Sequence, residues 1–75
     1  MGLSPEQAIV LATLARAAGA DVDLASAKVD SGLPEEAFEG ALKALCARGL
    51  ARWAADRCFT TRAGMQAHAE LPPRP

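Results

Sequence analysis

The sequence predicts a mostly helical α+β domain, with a three-helix core, a short two-stranded hairpin and a C-terminal helix. Three observations predict it. Apolar residues recur at helical spacing through most of residues 5–48. After Gly49 the pattern changes to alternation rich in aromatic and β-branched residues. Capping residues and glycines stand at the expected ends of the helical stretches. At 75 residues the chain suits one small domain. It is expected to span residues 1–71, with 72–75 as a frayed, Pro-rich tail.

Ser4-Pro5-Glu6-Gln7 is a strong helix start. Ser4 suits the cap, Pro5 the first helical position, and Gln7 completes a capping box. The helix is expected to reach Ala18 and stop at Gly19, with Leu11, Leu14, Ala15 and Ala18 on one face. Ile9 falls nearly opposite Leu11, beside Thr13 and Arg16. It is either one stray exposed Ile or a self-association contact. Ala20-Asp21-Val22 has room only for a stub of strand. Asp23 can cap a second helix from Leu24 to about Asp30, with Leu24, Ala27 and Lys28 or Val29 at helical spacing. Ser31-Gly32 ends it. Pro34 opens a third helix to about Arg48, burying Phe38, Ala41, Leu42 and Leu45, and Gly49 stops it. Leu50–Ala54 and Arg57–Thr61 then read as strands joined by an Ala55-Asp56 turn. Thr61 can cap a last helix from Arg62 to about Glu70.

Apolar residues make up 51 % of the chain, but 18 of them are Ala, and Leu, Ile, Val and Phe together number 15. The core must be thin, which makes a deep substrate pocket an unsuitable expectation. No apolar run approaches the ~18–20 residues of a membrane span, and no signal-peptide pattern is visible. A cytoplasmic setting is expected. The net charge of −1 hides an asymmetry: residues 1–40 carry −5 and residues 41–75 carry +4.

Gly32-Leu33-Pro34-Glu35-Glu36-Ala37-Phe38, then Leu42, Leu45 and Gly49-Leu50, resembles the turn and recognition helix of MarR-type regulators. Phe59-Thr60-Thr61-Arg62-Ala63-Gly64 is similar to the segment that leaves their wing. Over residues 4–70 the element order resembles the winged helix-turn-helix superfamily. That resemblance implies a third helix entering the major groove of double-stranded DNA, wing contacts to phosphates, and a homodimer built on terminal helices. The same architecture also serves protein interaction.

Carried onto this sequence, the outer face of the third helix would present Glu35, Glu36, Glu39, Gly40 and Lys43. Three carboxylates facing a polyanion depart from the pattern. One Glu is compatible with readout of cytosine. As a solvated face they also make sense, because first-turn acids suit the helix dipole and Glu39–Lys43 has i,i+4 spacing. The hairpin fits better: Lys43, Arg52, Arg57 and Arg62 are the candidate phosphate contacts, or, as solubilising residues, have Asp56 as a local partner. Trp53 reads as a lid over the core or an interface anchor.

Cys46 and Cys58 do not have zinc spacing, and His68 alone completes no metal site. They read as inert reduced thiols, with a redox pair as the alternative, and His68 as a surface residue. No catalytic constellation is evident and no cofactor is expected. The expectation is a non-enzymatic, DNA-binding, transcription-regulating module with a basic wing. The alternative is a protein-interaction or dimerisation module using Ile9, Glu35, Glu36 and Glu39.

Overall fold

The computed structural model describes residues 2–71, so the expected tail at 72–75 lies outside the described residues. The elements are α1 (Pro5–Ala15), β1 (Val22–Asp23), α2 (Leu24–Ser31), α3 (Glu35–Ala47), β2 (Ala51–Ala54), β3 (Arg57–Thr60) and α4 (Arg62–Ala69). This is the expected α+β order, with one addition. The hairpin is widened to three antiparallel strands in the order β1-β3-β2. Val22 pairs with Cys58 and Asp23 with Arg57, so the strand stub closes the inner edge of the hairpin.

The caps form as local chemistry dictates. Ser4 Oγ accepts from the Gln7 amide at 3.1 Å, and the Gln7 side chain returns the bond. Asp23 accepts from Ser26 N, and Thr61 from Gly64 N. Each oxygen satisfies an amide that a helix N-terminus leaves without an internal partner. Pro34 caps α3 without a side-chain bond, and the helix begins at Glu35.

Two expectations about α1 need correction. Its regular part ends at Ala15, because Ala18 and Gly19 both take left-handed backbone, with φ +53° and +92°, and turn the chain toward β1. Its buried residues are Val10, Leu11, Thr13 and Leu14, while Ile9 is half-buried. The helix packs on α2, α3, α4 and β3, so more of its circumference is covered than one apolar stripe implies. Thr13 tolerates burial because its hydroxyl donates to the Ile9 carbonyl at 2.9 Å.

Phe38, Ala41, Leu42 and Leu45 of α3 are buried as expected. They join Val10, Leu11, Leu14, Ala27, Ala51 and Cys58 in one core. Leu24 and Trp53 are half-buried against it, so Trp53 covers the core. Val29 points outward at 79 % exposure, which leaves Lys28 as the half-buried choice on α2.

Candidate nucleic-acid interface

Two surfaces surround the candidate site: the corner formed by α2 and α3, and the outer face of the hairpin. Gly32 makes the corner, with φ +72° at the C-cap of α2. Ser31 Oγ donates to the Lys28 carbonyl at 2.7 Å and accepts from Leu33 N at 3.2 Å. The turn from α2 to α3 is therefore braced by its own hydroxyl.

On α3, Glu35, Glu36, Gly40 and Lys43 are exposed and Glu39 is half-buried. The expected Glu39–Lys43 pair is replaced by a contact across the corner. Lys28 Nζ lies 3.3 Å from Glu35 Oε1 and 3.7 Å from Glu39 Oε2. A cation already half-buried between two carboxylates gives Glu39 a nearer partner than the solvated Lys43.

The sheet register sorts the hairpin. Ala51 opposes Thr60 and Trp53 opposes Cys58, facing the core. Arg52 opposes Phe59 and Ala54 opposes Arg57, facing away from it. Arg52 and Arg57 are thus diagonal neighbours on one face, roughly 7–8 Å apart at the backbone. They are not equivalent. Arg57 Nε meets Asp21 Oδ2 at 3.5 Å, its Nη2 reaches the Asp21 carbonyl at 3.5 Å, and Asp23 is its partner across the strands. Asp21, not the expected Asp56, is its ion-pair partner. Asp56 acts through its carbonyl, which accepts from Leu24 N at 2.7 Å and pins the hairpin turn to the start of α2. Arg52 is exposed and enters no ion pair among the described residues.

Arg62 is exposed as the first residue of α4. The positive end of the helix dipole disfavours a cation there, so helix stability does not account for it. Lys43 lies on α3 and Arg62 on α4, off the hairpin face that Arg52 and Arg57 share. Sequence reasoning missed Lys28 and Asp21. Neither contact lies within one helix, so no i,i+4 spacing announces it.

Cys46 is half-buried and Cys58 buried, and both are free thiols. Burial pushes both thiols up from the ordinary value of 9.0; Arg52 partly opposes this at Cys46, and Cys46 itself adds to it at Cys58. Raised, shielded thiols are poor nucleophiles. Among the described residues no three His, Cys, Asp or Glu side chains gather as metal ligands, and no helix is long and apolar enough to cross a membrane.

No protein-family model matches the chain, and no curated protein matches it. Among solved structures, it is similar to a transcriptional regulator of the MarR family from Silicibacter pomeroyi. The two share 26 % identity at a TM-score of 0.78, over 91 % of this chain and 49 % of that one. The chain thus spans about half the length of that regulator. Helix corner, hairpin and following helix together make this chain a winged helix-turn-helix domain with a layout similar to the MarR-type regulators.

Proposed function

We propose that the chain is the DNA-binding module of a transcriptional regulator, gripping duplex phosphates mainly through its wing. The observation that carries this reading is the similarity to a transcriptional regulator over 91 % of the chain. Of the two hairpin arginines Arg52 is the leading phosphate contact, because it is exposed and enters no ion pair among the described residues, whereas Arg57 is held by Asp21. Arg57, Lys43 and Arg62 assist, with Arg57 first giving up part of its contact with Asp21. The module works in the cytoplasm as one domain over residues 1–71, without a catalytic role. It pairs with a second copy through the part of Ile9 that remains accessible. Sedimentation that finds only monomer at high concentration would remove that pairing.

Duplex binding followed by anisotropy across a salt series tests the main reading. Three or four phosphate contacts give a log–log slope of about −3 to −4 per protomer. Arg52→Ala should weaken binding more than Arg57→Ala, and the double variant should abolish it. A wild-type chain that binds no duplex at low salt ends the proposal. A protein-docking role would then lead, and the exposure of Glu35 and Glu36 at the start of α3 favours a basic partner for it.

A further inference from the structure

We propose that Lys28 is a positioning residue of the α2–α3 corner: its ammonium masks Glu35 and Glu39 and holds α3 in the orientation that duplex binding needs. This rests on the DNA-binding reading. Glu35 and Glu39 stand one helical turn apart, where two carboxylates repel each other. Lys28 Nζ lies between them, 3.3 Å from one and 3.7 Å from the other, with its side chain only 24 % exposed. One cation thus converts a repulsive pair into a three-charge cluster. The Glu39 arm is the better shielded, at 34 % exposure against 71 % for Glu35.

The strut matters because α2 and α3 pack chiefly on α1 and touch each other little. Beyond that packing, the Ser31–Leu33 turn at one end and Lys28 across the corner tie the two helices directly to each other. The masking matters because α3 presents three acids to any approaching polyanion. With Lys28 in place, Glu36 alone has no cation within 4.0 Å among the described residues. This also explains how an acidic third helix is compatible with phosphate contacts a short distance away on the wing.

The test uses the full chain and a mixed-sequence DNA duplex of two to three helical turns. Four proteins are compared with wild type: Lys28→Met, Lys28→Arg, Glu35→Gln/Glu39→Gln, and the triple variant Lys28→Met/Glu35→Gln/Glu39→Gln. Far-UV circular dichroism establishes that each is folded. Unmasking two carboxylates should weaken duplex binding roughly five- to tenfold in Lys28→Met. Lys28→Arg should restore it. In the Gln background the Lys28→Met change should cost nothing, and the salt slope should stay as in wild type. A loss that persists in the Gln background, with the slope smaller in magnitude by about one, makes Lys28 a direct phosphate contact and overturns the proposal. So does wild-type affinity in Lys28→Met. A second readout is independent of DNA. The melting temperatures of Lys28→Met, Glu39→Gln and their double variant should be non-additive at low salt and additive at high salt. Additivity at low salt overturns the strut. Should wild type bind no duplex at all, the masking role falls with the DNA reading, and the melting cycle alone decides whether the corner is clamped.

Discussion

Gly64 and Gly40 are both helical glycines, yet they occupy opposite situations. A Cβ on Gly64 would run into the Leu50 carbonyl and the Thr60 hydroxyl, where α4 crosses the hairpin. That carbonyl already accepts from Thr60 Oγ1 and Thr61 N, both at 3.2 Å, so it has little freedom to retreat. Gly40 has open space at its Cβ position. Gly64→Ala should therefore cost ~1–3 kcal/mol, while Gly40→Ala should gain about 0.5–1 kcal/mol; urea denaturation of both variants checks the opposite signs. The thiols supply a second test at this scale. Burial makes Cys46 and Cys58 harder to ionise in the folded chain than in the unfolded one. Their contribution is complete below the ordinary thiol value of 9.0 and is lost as pH rises through the raised values. Stability should fall through that alkaline range, and Cys46→Ser should flatten the fall in denaturation curves taken at a series of pH values. The buried face of α3 was legible in the sequence because Phe38, Ala41, Leu42 and Leu45 need only helical spacing. The partners of Glu39 and Arg57 were not, because Lys28 and Asp21 reach them across turns.

The wing turn is the element whose sequence fits its conformation least. Ala55 takes φ +54°, and no positive φ falls at Asp56. A positive φ at the first of two central positions is the pattern of a type II′ turn, which favours Gly there. An L side chain in that region costs roughly 1 kcal/mol. Ala55→Gly should recover part of this cost and raise the melting temperature. The bond from Trp53 Nε1 to the Ala55 carbonyl, at 2.9 Å, should hold the turn in place in the variant; an unchanged or lower melting temperature would contradict this. The hairpin itself was legible from its alternation, and the helix starts from Ser4, Asp23 and Thr61, since both signals are local. The pairing of the expected strand stub with the hairpin was not. Two residues carry no periodicity, and only the packed fold places Val22 and Asp23 beside β3. The end of α1 escaped for a related reason: nothing in an Ala-rich stretch marks Ala18 as the left-handed residue.

Across the whole molecule the charge asymmetry of the chain survives folding only in part. Asp21 offsets a wing arginine, and Lys28, set between two of the acids of α3, offsets one of their two charges. Of these contacts only Asp21–Arg57 joins the acidic half of the chain to the basic half, and within the candidate interface Arg52, Lys43, Arg62 and Glu36 stay exposed outside any ion pair among the described residues. A backbone contact beside the Asp21–Arg57 pair has a kinetic meaning. Leu24 opens α2, and an amide in the first turn of a helix ordinarily exchanges its hydrogen quickly, having no acceptor within the helix. Here it donates to the Asp56 carbonyl, beside a contact between residues 36 positions apart in the chain. Its hydrogen can leave only when the wing detaches from the helical core. Deuterium uptake at Leu24 should therefore be as slow as at Cys58 in the middle strand, and slower than at Ser26 in the same helical turn. Fast uptake at Leu24 with Cys58 still protected would mean that the wing opens on its own, as a flap hinged where β2 leaves α3.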